Sequence, residues 1–253
     1  MKGSDWYKHG WSLAIKEQSW TEDTENQVDF IVRTLGLRGS ERVLDLACGY
    51  GRHALSLARR GFSVTGVDIT RVYLEDAIKS AKEQGLKAAF IHSDIRNVHF
   101  DGEFDVVLNL ADGAIGYLED DGENLKIFDV IAKALRPGGK HFMDICNAEH
   151  AERYFPAKAW EIGKKALALA LLDWDPATRR MRYAGWDIPY GEPAEKPRLD
   201  IEDADSARIY SLPELEEILA RRNMKVMAAF SNYYGKEATH KELQLMVYSQ
   251  KNA

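Results

Sequence analysis

The sequence predicts an α/β protein built on a parallel sheet with helices on both faces, and three observations predict it. From Gly39 onward, short apolar runs alternate with segments of helical periodicity. Runs such as RVLDLA and FDVVLNLA are apolar on consecutive residues, the pattern of strands buried on both faces. The first run passes into CGYGRH, a glycine turn leading into a helix, which sets backbone N–H groups at the carboxyl edge of such a sheet.

Taken in order, TEDTENQVDFIVRTLGL places Val28, Ile31, Val32 and Leu35 on one helical face, with Thr21 or Thr24 as the cap. RVLDLA is a strand, RHALSLARR a helix, FSVTGVD a strand and YLEDAIKSAKEQG a helix closed by Gly85. AAFIHSD and FDVVLNLA are strands, ENLKIFDVIAKAL a helix and KHFMDICNA a strand. After residue 150 the rhythm changes. Asp-Pro-Ala-Thr at 175–178 separates two strand-like runs and predicts a hairpin. SLPELEEILARRN reads as a helix capped by Ser211, with Leu212, Leu215, Ile218 and Leu219 on its buried face. MKVMAAFSNYYG and ELQLMVYSQ are two closing strands that can pair antiparallel. The simplest organisation is one α/β domain over residues 1–253 with a small β-rich insertion at about 150–210.

Composition narrows the partners. The chain has 253 residues, 29% of them charged, and a formal net charge of −6, with no Lys/Arg run longer than a pair. A nucleic-acid backbone needs a concentrated basic face, so it is not the expected partner. Cys48 and Cys146 lie far apart in apolar segments, which reads as a reducing compartment rather than a disulfide framework. No apolar run approaches 18 residues and MKGSDWYKHGW is not a signal peptide, so no membrane contact and a cytoplasmic location are expected.

The chemistry starts at VLDLACGYGRH. Gly49 and Gly51 allow a sharp turn and close backbone approach to a ligand. GYGRHA also satisfies G-x-G-x-x-A, which keeps a nicotinamide-dependent oxidoreductase in view. Asp45 weighs against it: a carboxylate inside the first strand repels a pyrophosphate and welcomes an ammonium or sulfonium. Asp68 ends the second strand, where a carboxylate can accept both ribose hydroxyls. Asp94 ends the third and can accept from an exocyclic purine amine. Three acids at successive strand ends describe a cationic ligand carrying ribose and adenine.

With these residues in view, the chain resembles the class I S-adenosylmethionine-dependent methyltransferases. VLDLACGYG resembles the first motif of that family, with Ala47 where its first glycine usually stands. VTGVDIT, HSDIRNV and FDVVLNLADGAIGYL resemble the second to fourth motifs, and ALRPGGKHFMDI the turn into the fifth strand. The resemblance covers about residues 25–150, with 211–250 as the closing helix and strand pair. It implies a Rossmann-like methyltransferase fold: a seven-stranded, mostly parallel sheet with an antiparallel last strand, helices on both faces and the small β-rich insertion.

For the site, the resemblance implies that Asp45 and the turn Ala47, Cys48, Gly49 and Gly51 hold the methionine end of S-adenosyl-L-methionine, with S-adenosyl-L-homocysteine as product. Asp68 takes the ribose, Ile69 packs on the adenine, Asp94 and Ile95 meet its edge, and Asn109 and Leu110 lie beside the methyl group. The expected activity is in-line methyl transfer to nitrogen or oxygen of a small molecule. A catalytically silent binding protein or scaffold on the same fold is the alternative.

Transfer from an intrinsically reactive donor needs alignment and exclusion of water, and a base only where the nucleophile arrives protonated. Candidates for that base or for positioning are Asp112, Tyr117, Asn147 and His150. His53 reads as a packing or hydrogen-bonding residue, His92 and His141 as pointing from strands into helices, and Asp105 as structural. Asp112, Asp144 and Asn147 could present oxygens to Mg²⁺, but no motif fixes their geometry, and no metal is expected. Tyr154, Phe155, Trp160, Trp174, Tyr183, Trp186 and Tyr190 crowd the insertion and can wall an acceptor pocket or form its own core. Trp6, Tyr7, Trp11 and Trp20, within residues 1–40, can close as a lid.

Overall fold

The computed structural model describes residues 6–8, 11–193, 200–202 and 204–253, with only the backbone of Trp6. The strands are β1 (Arg42–Leu46), β2 (Ser63–Asp68), β3 (Ala88–His92), β4 (Phe104–Asn109) and β5 (Leu135–Cys146), then β10 (Met224–Phe230) and β11 (Gln244–Lys251). They form one seven-stranded sheet in the order β10-β11-β5-β4-β1-β2-β3. β1 to β5 pair parallel, and β11 runs antiparallel to both β5 and β10. Among the described residues, no helix is long and apolar enough to cross a membrane.

The helices are α1 (Thr24–Leu35), α2 (Arg52–Arg59), α3 (Arg71–Glu83), α4 (Asp121–Ala134), α5 (Ala148–Tyr154) and α6 (Leu212–Ala220). Strand alternation divides the core into two layers. Leu44 and Leu46 of β1 pack with Ile127, Phe128 and Ile131 of α4 and with Leu215 and Leu219 of α6. Val43 packs on the other face with Val28 and Ile31 of α1 and Ala54 and Leu57 of α2. Asp45 follows Val43 on that second face, so its carboxylate is carried toward α1 and α2.

α6 starts as its sequence requires: the Ser211 and Glu214 side chains complete a capping box. α1 does not. Asp23 occupies the cap without a side-chain bond, and the Thr24 hydroxyl bonds back to the Thr21 carbonyl, so neither threonine caps. His141 bonds Ser249 on the neighbouring strand β11, and His92 bonds the Ile69 carbonyl, so neither histidine meets a helix as expected. Asp105 is structural, accepting the Arg42 amide and pairing with Arg136.

A second, four-stranded antiparallel sheet has the order β6 (Ala157–Ile162), β7 (Ala166–Asp175), β8 (Arg180–Pro189) and β9 (Asp205–Arg208). The hairpin falls at Asp-Pro-Ala-Thr, where the Asp175 carboxylate accepts the Ala177 amide and the Thr178 hydroxyl. α5, β6 and β9 have no counterpart in the sequence reading.

Candidate functional site

The carboxyl ends of β1, β2, β3 and β4 open into a cavity of about 1030 Å³, part of it open to solvent. Its floor is the turn after β1. Ala47 (φ 56°) and Gly49 (φ 57°) are both left-handed, and both line the cavity. Only the glycine adopts that conformation without strain; for alanine it costs about 1 kcal/mol.

Asp45 is 2% exposed, lines the cavity, and has one carboxylate oxygen with no hydrogen-bond partner among the described residues. Burial pushes its pKa up to about 7, helped by the nearby Asp68 charge and opposed by Arg52 and the Ala54 amide in the first turn of α2. Arg52 stands in the same wall. Its guanidinium donates to Thr24 and Gln27, at 2.9 and 2.5 Å, and lies over the Trp20 ring. Burial lowers its pKa against the favourable field of Tyr233, Tyr50, Asp144 and Asp45. His53 bonds the same Gln27 at 2.9 Å, in keeping with a hydrogen-bonding role.

Asp68 is braced from both sides. One oxygen accepts the Gly49 amide at 2.8 Å and the other the Thr70 amide at 2.7 Å. Burial nonetheless raises its pKa, the two amides only moderating the rise. Asp94 differs from expectation. Burial works to raise its pKa, but Arg96 grips both carboxylate oxygens and the balance is a lowered value. An exocyclic amine would have to share this acid with Arg96. Ile69, Ile95, Leu110 and Ile127 supply the apolar wall, while Tyr7, Trp11 and Trp20 complete it from the N-terminal side. The Trp6 side chain lies outside the described residues.

Several anticipated residues are elsewhere. Gly51 does not line the cavity. A Cβ there would meet Phe90 at 3.1 Å and Ala77 at 3.2 Å, and its φ is 75°, so packing and turn geometry demand the glycine. Asn109 is fully buried behind the wall, its amide donating to the Leu46 and Gly113 carbonyls, so it pins β1 to the next turn. That turn is unusual: Ala111, Asp112, Gly113 and Ala114 are consecutively left-handed.

Of the anticipated catalytic residues, Tyr117 lines the cavity. Burial, then the Asp112 charge, raises its pKa well above the ordinary phenol value, so it keeps its proton. Asp112 sits between two lining residues but turns away, toward Cys146, and burial with the Asp144 charge brings its pKa to about 6. Asn147 caps α5 and donates to the Thr239 and Glu242 carbonyls. His150 meets the His240 carbonyl and packs on Tyr154. Neither reaches the cavity, because β5 delivers them to the side occupied by the loop 239–243. Asp144 is held by Tyr233 and Gln244. Among the described residues, no three His, Cys, Asp or Glu side chains converge as metal ligands. The insertion's aromatics also miss the cavity wall: Trp174 packs with Leu172 and Met181, Tyr154, Tyr183 and Tyr190 are exposed, and Trp160 stands 69% exposed.

The family model described as a methyltransferase domain matches residues 43–139, the segment from β1 into β5 that carries Asp45, Asp68 and Asp94. The match covers less than half of the chain and, with the structural likeness below, supports a class I S-adenosylmethionine-dependent methyltransferase family. A glycine/sarcosine N-methyltransferase of Aphanothece halophytica is 30% identical over 118 residues, 44% of each chain. The chain spans about half the length of the curated relatives it matches first. Its fold is that of an S-adenosylmethionine-dependent methyltransferase from Clostridium acetobutylicum, at TM-score 0.75 and 18% identity over 95% of this chain and 97% of that one. A Burkholderia thailandensis 1,6-didemethyltoxoflavin-N1-methyltransferase, solved with 1,6-didemethyltoxoflavin and S-adenosylhomocysteine, aligns at TM-score 0.59 and 17% identity, over 92% and 81% of the chains.

Arg52 is a wall residue that the sequence reading missed, as are Tyr50, Thr70, Tyr73 and Arg96. A signal was present: a cation in the first turn of a helix opposes the macrodipole, so its placement there asks for a reason.

Proposed function

We propose that this chain transfers a methyl group from S-adenosyl-L-methionine to nitrogen or oxygen of a small-molecule acceptor. One observation carries the reading: Asp45, with an oxygen unpartnered among the described residues, and Arg52, whose charge acts on it, line the same cavity, a pair complementary to a zwitterionic amino-acid end. A pyrophosphate in that place would meet Asp45 and be repelled, which argues against a nicotinamide cofactor. The bound sulfonium supplies the electrophilic methyl.

The residues divide the remaining work. Asp45 accepts from the ammonium and Arg52 donates to the carboxylate. Asp68, already oriented by two backbone amides, offers its remaining lone pairs to the ribose hydroxyls. Ile69, Ile95 and Leu110 sandwich the base. Tyr7, Trp11 and Trp20 exclude water from the N-terminal side, the lid role we assign to residues 1–40. Tyr117, protonated, donates to or orients the acceptor. Tyr117 keeps its proton and so cannot serve as the base, and the acceptor attacks as a neutral amine or an already ionised hydroxyl. We assign acceptor selection to the sheet β6–β9 and the turn 111–118 that faces it. The net charge of −6 and the small acceptor in the Burkholderia neighbour support a metabolite rather than a nucleic acid.

The test is release of S-adenosylhomocysteine on incubation with S-adenosylmethionine and a panel of small amines and phenols. Acceptor-dependent release supports the reading. Cofactor binding with no release across a broad panel would favour the silent alternative.

A further inference from the structure

The three acids at the sheet edge are held in three different ways. Asp68 is fixed by two backbone amides, and Asp45 keeps an oxygen with no hydrogen-bond partner among the described residues. Asp94 is held by a neighbouring side chain. The Arg96 amide donates to Oδ1 at 2.9 Å, Nη2 donates to Oδ2 at 2.6 Å, and Nε bridges both oxygens at 3.0 and 3.2 Å. Nη1 turns the other way, to the Glu123 carboxylate in the first turn of α4, at 2.5 Å. Asp94 and Arg96 both line the cavity, with side chains 17% and 20% exposed.

The single 3₁₀ turn Ile95–Asn97 after β3 brings the two together, Asp94 as its cap and Arg96 within it. The cap needs only the bond from the acid to the backbone amide. The guanidinium adds a planar grip on both oxygens that the cap does not require, and this has two consequences. A carboxylate offers about four lone-pair directions, and three N–H groups set against them leave about one open, in a fixed plane. Burial works to protonate the acid, and the Arg96 hydrogen bonds and charge overcome it, so Asp94 remains an acceptor only.

We propose that Arg96 is the positioning residue for base recognition: it presents the open acceptor direction of Asp94 to the exocyclic amine of adenine, and so makes the site reject a base that carries a carbonyl there. The proposal rests on the reading that this cavity takes S-adenosylmethionine. An amine N–H against a fixed carboxylate forms a charge-assisted hydrogen bond, whereas a carbonyl oxygen in that place meets negative charge with no proton between them. An acid free to swing away, or to take up a proton and donate it, discriminates less.

The test is calorimetric titration of the full chain with S-adenosyl-L-homocysteine and with S-inosyl-L-homocysteine, in which a carbonyl replaces the amine and the adjacent ring nitrogen gains a hydrogen. The proteins are the wild type, Arg96→Ala, Arg96→Lys and Glu123→Gln. The wild type should prefer the adenine ligand by about 100-fold or more. Arg96→Ala should narrow that preference at least tenfold, and Arg96→Lys, which keeps the charge without the planar fork, should restore part of it. Glu123→Gln loosens the tie to α4 and leaves the grip on Asp94, so its preference should match the wild type's. The ratio of two ligands on one protein does not depend on the fraction folded, and Arg96→Lys carries the comparison where the alanine variant does not fold. An arginine that only ties the turn to α4 would weaken both ligands equally; an unchanged ratio in the Arg96 variants would overturn the proposal, as would a wild type that does not distinguish the two bases. A wild type that does not bind S-adenosyl-L-homocysteine would overturn the cofactor reading and the proposal with it.

Discussion

At the carboxyl edge of β2 and β4, two polar groups are fixed by backbone. Asp68 is set by the Gly49 and Thr70 amides, and Asn109 by the Leu46 and Gly113 carbonyls. The inserted sheet is attached differently, by one main-chain bond, from the Arg208 amide to the Gly116 carbonyl, and otherwise through side-chain bridges. Arg180 donates to the Leu118 and Gly116 carbonyls, Gln18 to Asp187, and the Lys164 amide to Glu22. The difference teaches where this fold can vary. A cofactor site braced by main chain tolerates little change, whereas a sheet tied by side chains can be re-tailored to another acceptor without disturbing it.

The largest expected effect tests the braced half. Asp68→Ala removes the ribose acceptor and strands two amides, so S-adenosylhomocysteine affinity should fall about 100-fold in calorimetric titration. Arg52→Ala should follow, with roughly 10- to 30-fold weaker binding and partial recovery in Arg52→Lys, which keeps charge but not the planar fork.

The third prediction concerns pH. With Asp45 at about 7 in the folded chain against an ordinary value near 4, the native state holds a proton that the unfolded chain has released. Stability from this group therefore falls as pH rises from about 4 to about 7. Asp45→Asn abolishes that fall, so its melting temperature should exceed the wild type's by roughly 10 °C at pH 8. A cationic ligand favours the carboxylate, so wild-type binding of S-adenosylmethionine should tighten up to about tenfold per pH unit below 7 and level off above it. In the asparagine variant this dependence should vanish.

Arg180→Ala sharpens the comparison from the other side. Hydrogen exchange should quicken in 111–118 and 180–189 while S-adenosylhomocysteine affinity stays within about threefold. A large affinity loss would mean that the two halves are not separable. Smallest is Ala47→Gly, which relieves a left-handed alanine and should stabilise by about 1 kcal/mol in denaturant unfolding.

The same division explains what could be read from sequence. An acid inside an apolar strand, or glycines after it, is an anomaly with few physical causes, so Asp45, Asp68 and the turn were legible. Residues in β6 are almost all exposed, so no burial period marked the strand. α5 is seven residues long, too short to show a face. His150 and Asn147 were misplaced because strand alternation says which side of the sheet a residue meets, not which loop already occupies that side. Gly51 was read as a ligand contact because packing against Phe90 depends on a strand 39 positions further on.

Asp45 and Arg52 are proposed to clasp the amino-acid end of the cofactor. The most direct measurement is calorimetric titration at pH 8 with S-adenosylhomocysteine and with 5′-methylthioadenosine, which lacks that end, on the wild type and Arg52→Ala. The account predicts micromolar binding of the first ligand and far weaker binding of the second, with the gap narrowed in the variant. Equal binding of both ligands, or a gap unchanged by Arg52→Ala, would contradict it.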